Sequence, residues 1–206
     1  MENNRFKNIL QLVQMAVLAA IIIVLGFFTP FGFLKVGPFS ITFLMIPVVI
    51  GAVLIGPAAG AFLGLIFGLA SFRQCFGLDP TGAYLLEINA LYTFIVCLFP
   101  RIIMGLLVGL IFKALIKIRG TNILVPYMIA SASGAILNTV LFLGALILFF
   151  WKDPTINEGL GTFKKWILLA LSMNATIELV ASFFIGTSIT KALMASMGKL
   201  KPQPAT

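Results

Sequence analysis

Residues 95–115 read IVCLFPRIIMGLLVGLIFKAL. As a helix rising ~1.5 Å per residue, this run crosses the ~30 Å hydrocarbon core of a bilayer. It also holds Arg101, directly after Pro100. An isolated charge at mid-bilayer costs at least ~3 kcal/mol, so such a residue faces a bundle interior and finds partners there. The stretch therefore asks for further membrane helices around it, with polar groups at matching depth.

Composition agrees. Of 206 residues, 61% are hydrophobic and 10% are charged, and the mean hydropathy is +1.14. A soluble domain carries roughly a quarter charged residues. The chain reads as an all-α integral membrane protein, with residues 1–206 forming a single transmembrane domain in the cell membrane. The opening MENNRFKNIL is followed by no small-residue cleavage site after a short apolar core, so no removable signal peptide is expected. A net charge of +8 in such a chain reflects the Lys and Arg of cytoplasmic loops, not nucleic-acid binding. Cys75 and Cys97 stand outside any CxxC pair and read as small residues in apolar helices, without metal or redox chemistry. The absence of histidine removes His-based acid/base catalysis, His metal sites and His-containing triads. No cofactor and no metal are expected.

Hydropathy and breakers give six transmembrane helices. The expected spans are Ile9–Phe28, Ile41–Ile55, Ala58–Phe76, Ala90–Leu115, Ile123–Phe150 and Trp166–Met194. Between them lie an aromatic loop TPFGFLKVGPFS, the Gly56-Pro57 break, a polar connection GLDPTGAYLLEIN, a basic turn KIRGTN and the soluble loop WKDPTINEGLGTFKK. An even number of spans puts both termini on one side. Arg5, Lys7, Lys113, Lys117, Arg119, Lys191, Lys199 and Lys201 gather there. The other side has fewer basic residues, offset by Asp79, Glu87, Asp153 and Glu158. That bias predicts that both termini are cytoplasmic. Gly56, Gly60, Gly64 and Gly68 recur every fourth residue, a ridge on which a neighbouring helix can pack closely.

Helical rise also gives depth. Arg101 lies ~16 Å and Asn138 ~18 Å from the outer end of their spans, with Asn174 and Glu178 ~12–20 Å deep in the last one. Asn174 and Glu178 share a helix face. Two readings of this polar layer stand side by side. Arg101 and Glu178 pair and hold helix register, or the layer floors an outward-facing pocket in which a guanidinium grips a carboxylate. Pro100 predicts a local opening of the backbone beside Arg101. Nearer the surface, Arg73, Gln74, Asn89 and Tyr92 form a second candidate set, joined by Glu87, Trp151 and Asn157. Arg73 can equally snorkel to headgroups, and Trp151 and Trp166 can be interfacial anchors.

The chain holds no GxxxxGK[ST] and no clear inverted repeat, and Glu178 is its only deep acid. An integral membrane enzyme using Arg101, Glu178 and Asp79 would need clustered acids for a metal, or a nucleophile with its base; neither is present. A secondary transporter would need a relay. A solute-binding protein without an engine must borrow one.

The first-helix MAVLAA with Ala16 and Ala20, the aromatic first loop, the block ITFLMIPVVIGAVLIGPAAGAFLGLIFGLASF and LFPRIIMGLLVGLIFKAL resemble the substrate-binding (S) component of energy-coupling factor (ECF) transporters, the prokaryotic vitamin importers. IPVVIGAVLIGP, SFRQCFG and FPRIIMG look most like the pantothenate-type members. The resemblance covers nearly the whole chain. It implies six helices with both termini inside and an outward pocket capped by the first, third-to-fourth and fifth-to-sixth connections. It implies that Ala16 and Ala20 contact a transmembrane coupling protein driven by two cytoplasmic ATPases, with toppling in the membrane to release the vitamin. The chain itself would then be no enzyme. Pantothenate is a small hydroxylated amide with a carboxylate. Arg101 or Arg73 can take the carboxylate, and Asn138, Asn174, Asn89 and Gln74 the amide and hydroxyls. If Glu178 neutralises Arg101, Arg73 becomes the anion site. A flat vitamin such as riboflavin stays open, because the chain has 20 Phe.

Overall fold

A computed structural model describes residues 2–28, 33–36, 39–118, 124–150 and 188. Apart from residue 188, the expected span Trp166–Met194, with Asn174 and Glu178, and the loop holding Trp151 and Asn157 lie outside them.

Helix α1 (Glu2–Ile23) continues into a π-helical turn, Val24–Phe28. An antiparallel hairpin follows, β1 (Phe33–Val36) and β2 (Phe39–Thr42), with Phe33 opposite Thr42 and Val36 opposite Phe39. Helices α2 (Met45–Leu54), α3 (Pro57–Gln74), α4 (Pro80–Ile88), α5 (Ala90–Leu115) and α6 (Leu124–Phe150) complete the described chain. Asn8–Phe28, Ala90–Leu115 and Val125–Phe150 are long and apolar enough to cross a bilayer.

The hairpin replaces part of the expected aromatic loop and the start of the expected second span. Phe39-Ser-Ile-Thr42 alternates apolar and polar residues, a period-two pattern that favours strand over helix. Helix α2 is therefore only ten residues, ~15 Å or half a bilayer. All ten are buried, as befits a helix that is apolar on every side. Gly56 ends it with φ +137°, a conformation that suits glycine, and Pro57 opens α3 at a position where its missing N–H costs nothing. The polar connection holds a helix the sequence reading left out. The Asp79 side chain accepts from Gly82 N–H at 2.7 Å and Pro80 follows, the start signal of α4.

The ridge on α3 meets α5. A Cβ built on Gly60 would overlap the Gly105 carbonyl oxygen, one on Gly64 the Arg101 carbonyl oxygen, and one on Gly68 would come within 2.9 Å of Leu98 Cα. Gly105 and Gly109 answer from α5, facing Gly60 and Pro57. Backbone thus lies on backbone along the pair, as small residues permit in a membrane. Gly56 serves the turn instead of the ridge. Phe67, Leu63, Val48, Met104 and Val108 fill the core around this seam.

Cys75 and Cys97 are both buried, and their sulfur atoms are 3.7 Å apart, linking the end of α3 to α5. Side-chain rotation brings such a pair to bonding distance when backbone spacing allows. Copper-phenanthroline with oxygen is expected to join them, read by mass as the loss of both thiol hydrogens within one chain. Two thiols left intact in folded, oxidant-treated protein would contradict the register of α3 on α5.

Candidate functional site

Asn89 starts α5: its Oδ1 accepts from Tyr92 N–H at 3.0 Å. From that cap the helix runs unbroken to Leu115, through Pro100. The helix is not interrupted at Pro100, and the Val96 carbonyl, which proline leaves without its main-chain donor, accepts from Arg101. Arg101 is only 7% exposed. Its Nη1 donates to Val96 O at 2.9 Å. Its guanidinium carbon lies over the Phe142 ring at 4.5 Å from the centroid and over the Phe67 ring at 5.6 Å. The negative face of an aromatic ring attracts a cation, by about 2 kcal/mol or more when both are desolvated. The charge is thus held by α5 itself, by α3 and by α6.

Asn138 sits on α6, four residues before Phe142, so amide and ring occupy one helix face. Asn138 is 6% exposed, and its Oδ1 has no hydrogen-bond partner among the described residues. A buried amide oxygen of this kind calls for a donor. Phe67, on the other side, packs against Phe33 of the hairpin with ring centroids 6.4 Å apart. The hairpin therefore lies one ring away from the guanidinium. Guanidinium and aromatic faces meet where α3, α5 and α6 pack, and the buried Asn138 amide lies one helical turn from Phe142, an arrangement suited to a small molecule carrying an anion and a hydrogen-bond donor.

The second set has a different occupation. Arg73 Nη1 donates to Phe27 O at 2.6 Å, with its guanidinium carbon 5.4 Å from the Phe27 ring centroid. Gln74 Nε2 reaches Gly26 O at 3.4 Å. Both acceptors lie in the π-helical turn, whose carbonyls are released from the regular α-helical ladder. Arg73 and Gln74 thus fasten the end of α1 to the end of α3. Asn89 caps α5, and Tyr92 packs on Phe149 and Phe150. Arg101 and Asn138 are buried on α5 and α6, while Arg73, Gln74, Asn89 and Tyr92 stand at element ends. Among the described residues no group of three His, Cys, Asp or Glu comes together. Ala16 and Ala20 are exposed on α1, while Leu18 and Ile22 turn inward.

Phe67, Phe142 and the Val96 carbonyl are the site groups that sequence reasoning missed. Two signals were present: Phe142 follows Asn138 at helical spacing, and a helical proline deprives the carbonyl four residues earlier of its donor.

The family described as "ECF transporter, substrate-specific component" matches residues 10–189. A relative from Lactococcus lactis subsp. cremoris, "Pantothenic acid transporter PanT", is 29% identical over 195 residues, covering 87% of this chain and 91% of that one. "Pantothenate transporter PanT" of Leuconostoc mesenteroides is 24% identical over 201 residues, covering 94% and 95%.

Proposed function

Because the chain belongs to the substrate-specific components of ECF transporters, we propose that it captures pantothenate outside the cell and hands it to the family's energising module. As a member of that family it is a multi-pass protein of the cell membrane and a transporter subunit without catalysis of its own. Members of the family bind a small substrate and assemble with the ECF energising module.

The observation that carries the substrate reading is the buried Arg101 guanidinium over Phe142, with the buried Asn138 one turn along the same helix. A carboxylate is the natural acceptor for an arginine fork. A hydroxyl or amide N–H is the natural donor to Asn138 Oδ1. Pantothenate has all three groups, and both relatives carry its name. In this reading Arg101 takes the carboxylate and Asn138 a hydroxyl or the amide, with Asn174 and Glu178 completing the layer. Arg73 and Gln74 act from the rim by holding α1 to α3. Six spans with both termini cytoplasmic fit the charge distribution. Arg73 reaches Phe27, so α1 and α3 end on one side; Lys113 lies by Gly56, so α5 ends where α3 begins. The exposed Ala16 and Ala20 offer the small-residue face for the transmembrane coupling protein, which two ATPases drive, with toppling as the delivery step.

The test is thermal unfolding of the purified chain in detergent against a panel of vitamins. A ligand at one hundred times its Kd stabilises the folded state by about 2.7 kcal/mol, so a clear rise in Tm is expected with pantothenate. A rise with riboflavin or another vitamin alone would keep the family and discard this substrate. A folded sample that responds to none would overturn the binding reading.

A further inference from the structure

Helices α3 and α5 touch in two ways. Over the half nearer the cytoplasm in the proposed topology, Gly60 and Gly64 lie against the backbone at Gly105 and Arg101. Over the outer half, side chains take over. Thr93, Cys97, Arg101, Gly105 and Gly109 recur every fourth residue of α5 and share one face. Cys97 thus stands one turn outward of Arg101. Its sulfur lies 3.7 Å from Cys75 Sγ at the end of α3, and the Cys75 thiol donates to Ser71 O at 3.8 Å. Thiols are weak donors. The neighbouring link is the edge-on contact of Phe72 with Phe94, 5.1 Å between centroids.

Stronger bonds run on either side of this line. Arg73 and Gln74 tie α3 to the end of α1. Thr93 is fully buried, and its Oγ1 donates to Leu85 O at 2.7 Å, tying α4 to α5. The outer end therefore divides into α1 with α3 and α4 with α5, and the two thiols meet on the division. The chain crosses it through Gly77, whose φ of +85° suits glycine. Arg101 and Asn138 are buried, so a substrate from outside must part some of these contacts. Least is lost where weak donors meet.

We propose that Cys75 and Cys97 are a redox-modification site that latches substrate exchange. As thiols they let the outer ends of α3 and α5 part; as a disulfide they hold them shut. The inference rests on the binding reading above. Neither cysteine had a redox role on sequence grounds; packing supplies the pair. Hydrogen peroxide is a fitting oxidant, small and neutral enough for a buried site. One sulfur, as thiolate, attacks a peroxide oxygen. The O–O bond breaks, hydroxide leaves and takes up the thiol's proton as water, and a sulfenic acid remains. The second sulfur then attacks the first. An S–S bond forms, the S–O bond breaks, and the departing hydroxide takes the second thiol's proton. Two thiols are oxidised and one peroxide becomes two waters.

The experiment uses the full chain in detergent, reduced or peroxide-treated, with labelled pantothenate. Intact mass should show the loss of two hydrogens in the treated wild type. The disulfide-bonded protein should release preloaded pantothenate, and take it up when empty, about tenfold more slowly, because one barrier is raised in both directions. Kd, the ratio of the two rate constants, should change little. A phosphine reductant should restore both rates. Cys75→Ala and Cys97→Ala, treated alike, should keep the rates of their own reduced forms.

Folded wild type that keeps both thiols, or gains sulfinic acid in place of the disulfide, would overturn the inference. So would slowing that also appears in both alanine variants, since the oxidised group would then lie elsewhere. Reduced wild type that binds no pantothenate removes the substrate reading and this inference with it. Normal binding with exchange rates unaltered by the disulfide removes the inference alone.

Discussion

Arg101→Ala is expected to abolish measurable pantothenate binding. In the proposed site the guanidinium is a buried cation that contacts Val96 O and the rings of Phe67 and Phe142. Losing one side of a buried, hydrogen-bonded charge pair costs about 2–5 kcal/mol, or about 30- to 4,000-fold in Kd. Arg101→Lys keeps the charge without the planar fork, so it should recover only part of the affinity. Isothermal titration of the three proteins checks both statements. Arg101→Ala should also lower Tm, since it strips the Val96 carbonyl of its donor at a cost of about 1–3 kcal/mol. The alternative reading, in which Arg101 serves only to pair with Glu178, makes a different pattern. Arg101→Ala and Glu178→Ala would then each lower Tm, the double change would partly restore it, and binding would survive in Arg101→Ala.

The second large effect belongs to Gly64. A Cβ there would overlap the carbonyl oxygen of Arg101, lie 2.8 Å from its carbonyl carbon and 3.2 Å from Ile102 Cα. All three are backbone atoms, which cannot rotate aside. Gly64→Val must therefore push α5 away from α3 along the seam that Gly60, Gly105 and Gly109 also keep tight. Overpacking costs about 1–3 kcal/mol where side chains can adjust, and more is expected against backbone. Against a total stability of about 5–15 kcal/mol, that is a large fraction, read as a marked fall in Tm. Because the obstructed group is Arg101's own carbonyl, even Gly64→Ala should weaken pantothenate binding below its melting temperature. Gly144→Ala is the control. Among the described residues nothing lies within 4 Å of its Cβ position, so it should be neutral or slightly stabilising through helix propensity. Equal melting of Gly64→Val and wild type would refute the close seam.

The chain's own sequence determined its helices well where the signal is local. Run length, apolar content and Gly/Pro punctuation belong to single segments, so Ala90–Leu115 came out with both of its observed ends and Pro57 marked the start of α3. The hairpin and α4 were legible only in hindsight, from the alternation at 39–42 and the Asp-Pro start at 79–80, because Pro and Gly had marked most of the first as a loop, apolar content had claimed Ile41 and Thr42 for a membrane span, and polarity had marked the second as a loop. In the site, Arg101 and Asn138 were readable, since a charge or an amide deep in an apolar helix demands an explanation on energetic grounds alone.

Their surroundings were not readable. That Arg101 lies against Phe67 and Phe142, that Gly64 faces its carbonyl, and that Arg73 and Gln74 reach the π-helical turn of α1 are contacts between elements far apart in sequence. Sequence periodicity assigns a residue to a face of its own helix. Which face of which neighbour it meets depends on how the helices pack, and glycine seams let α3 and α5 approach closely enough for those groups to converge. Tertiary packing therefore decided which polar residues were buried among the helices and which became fasteners between element ends.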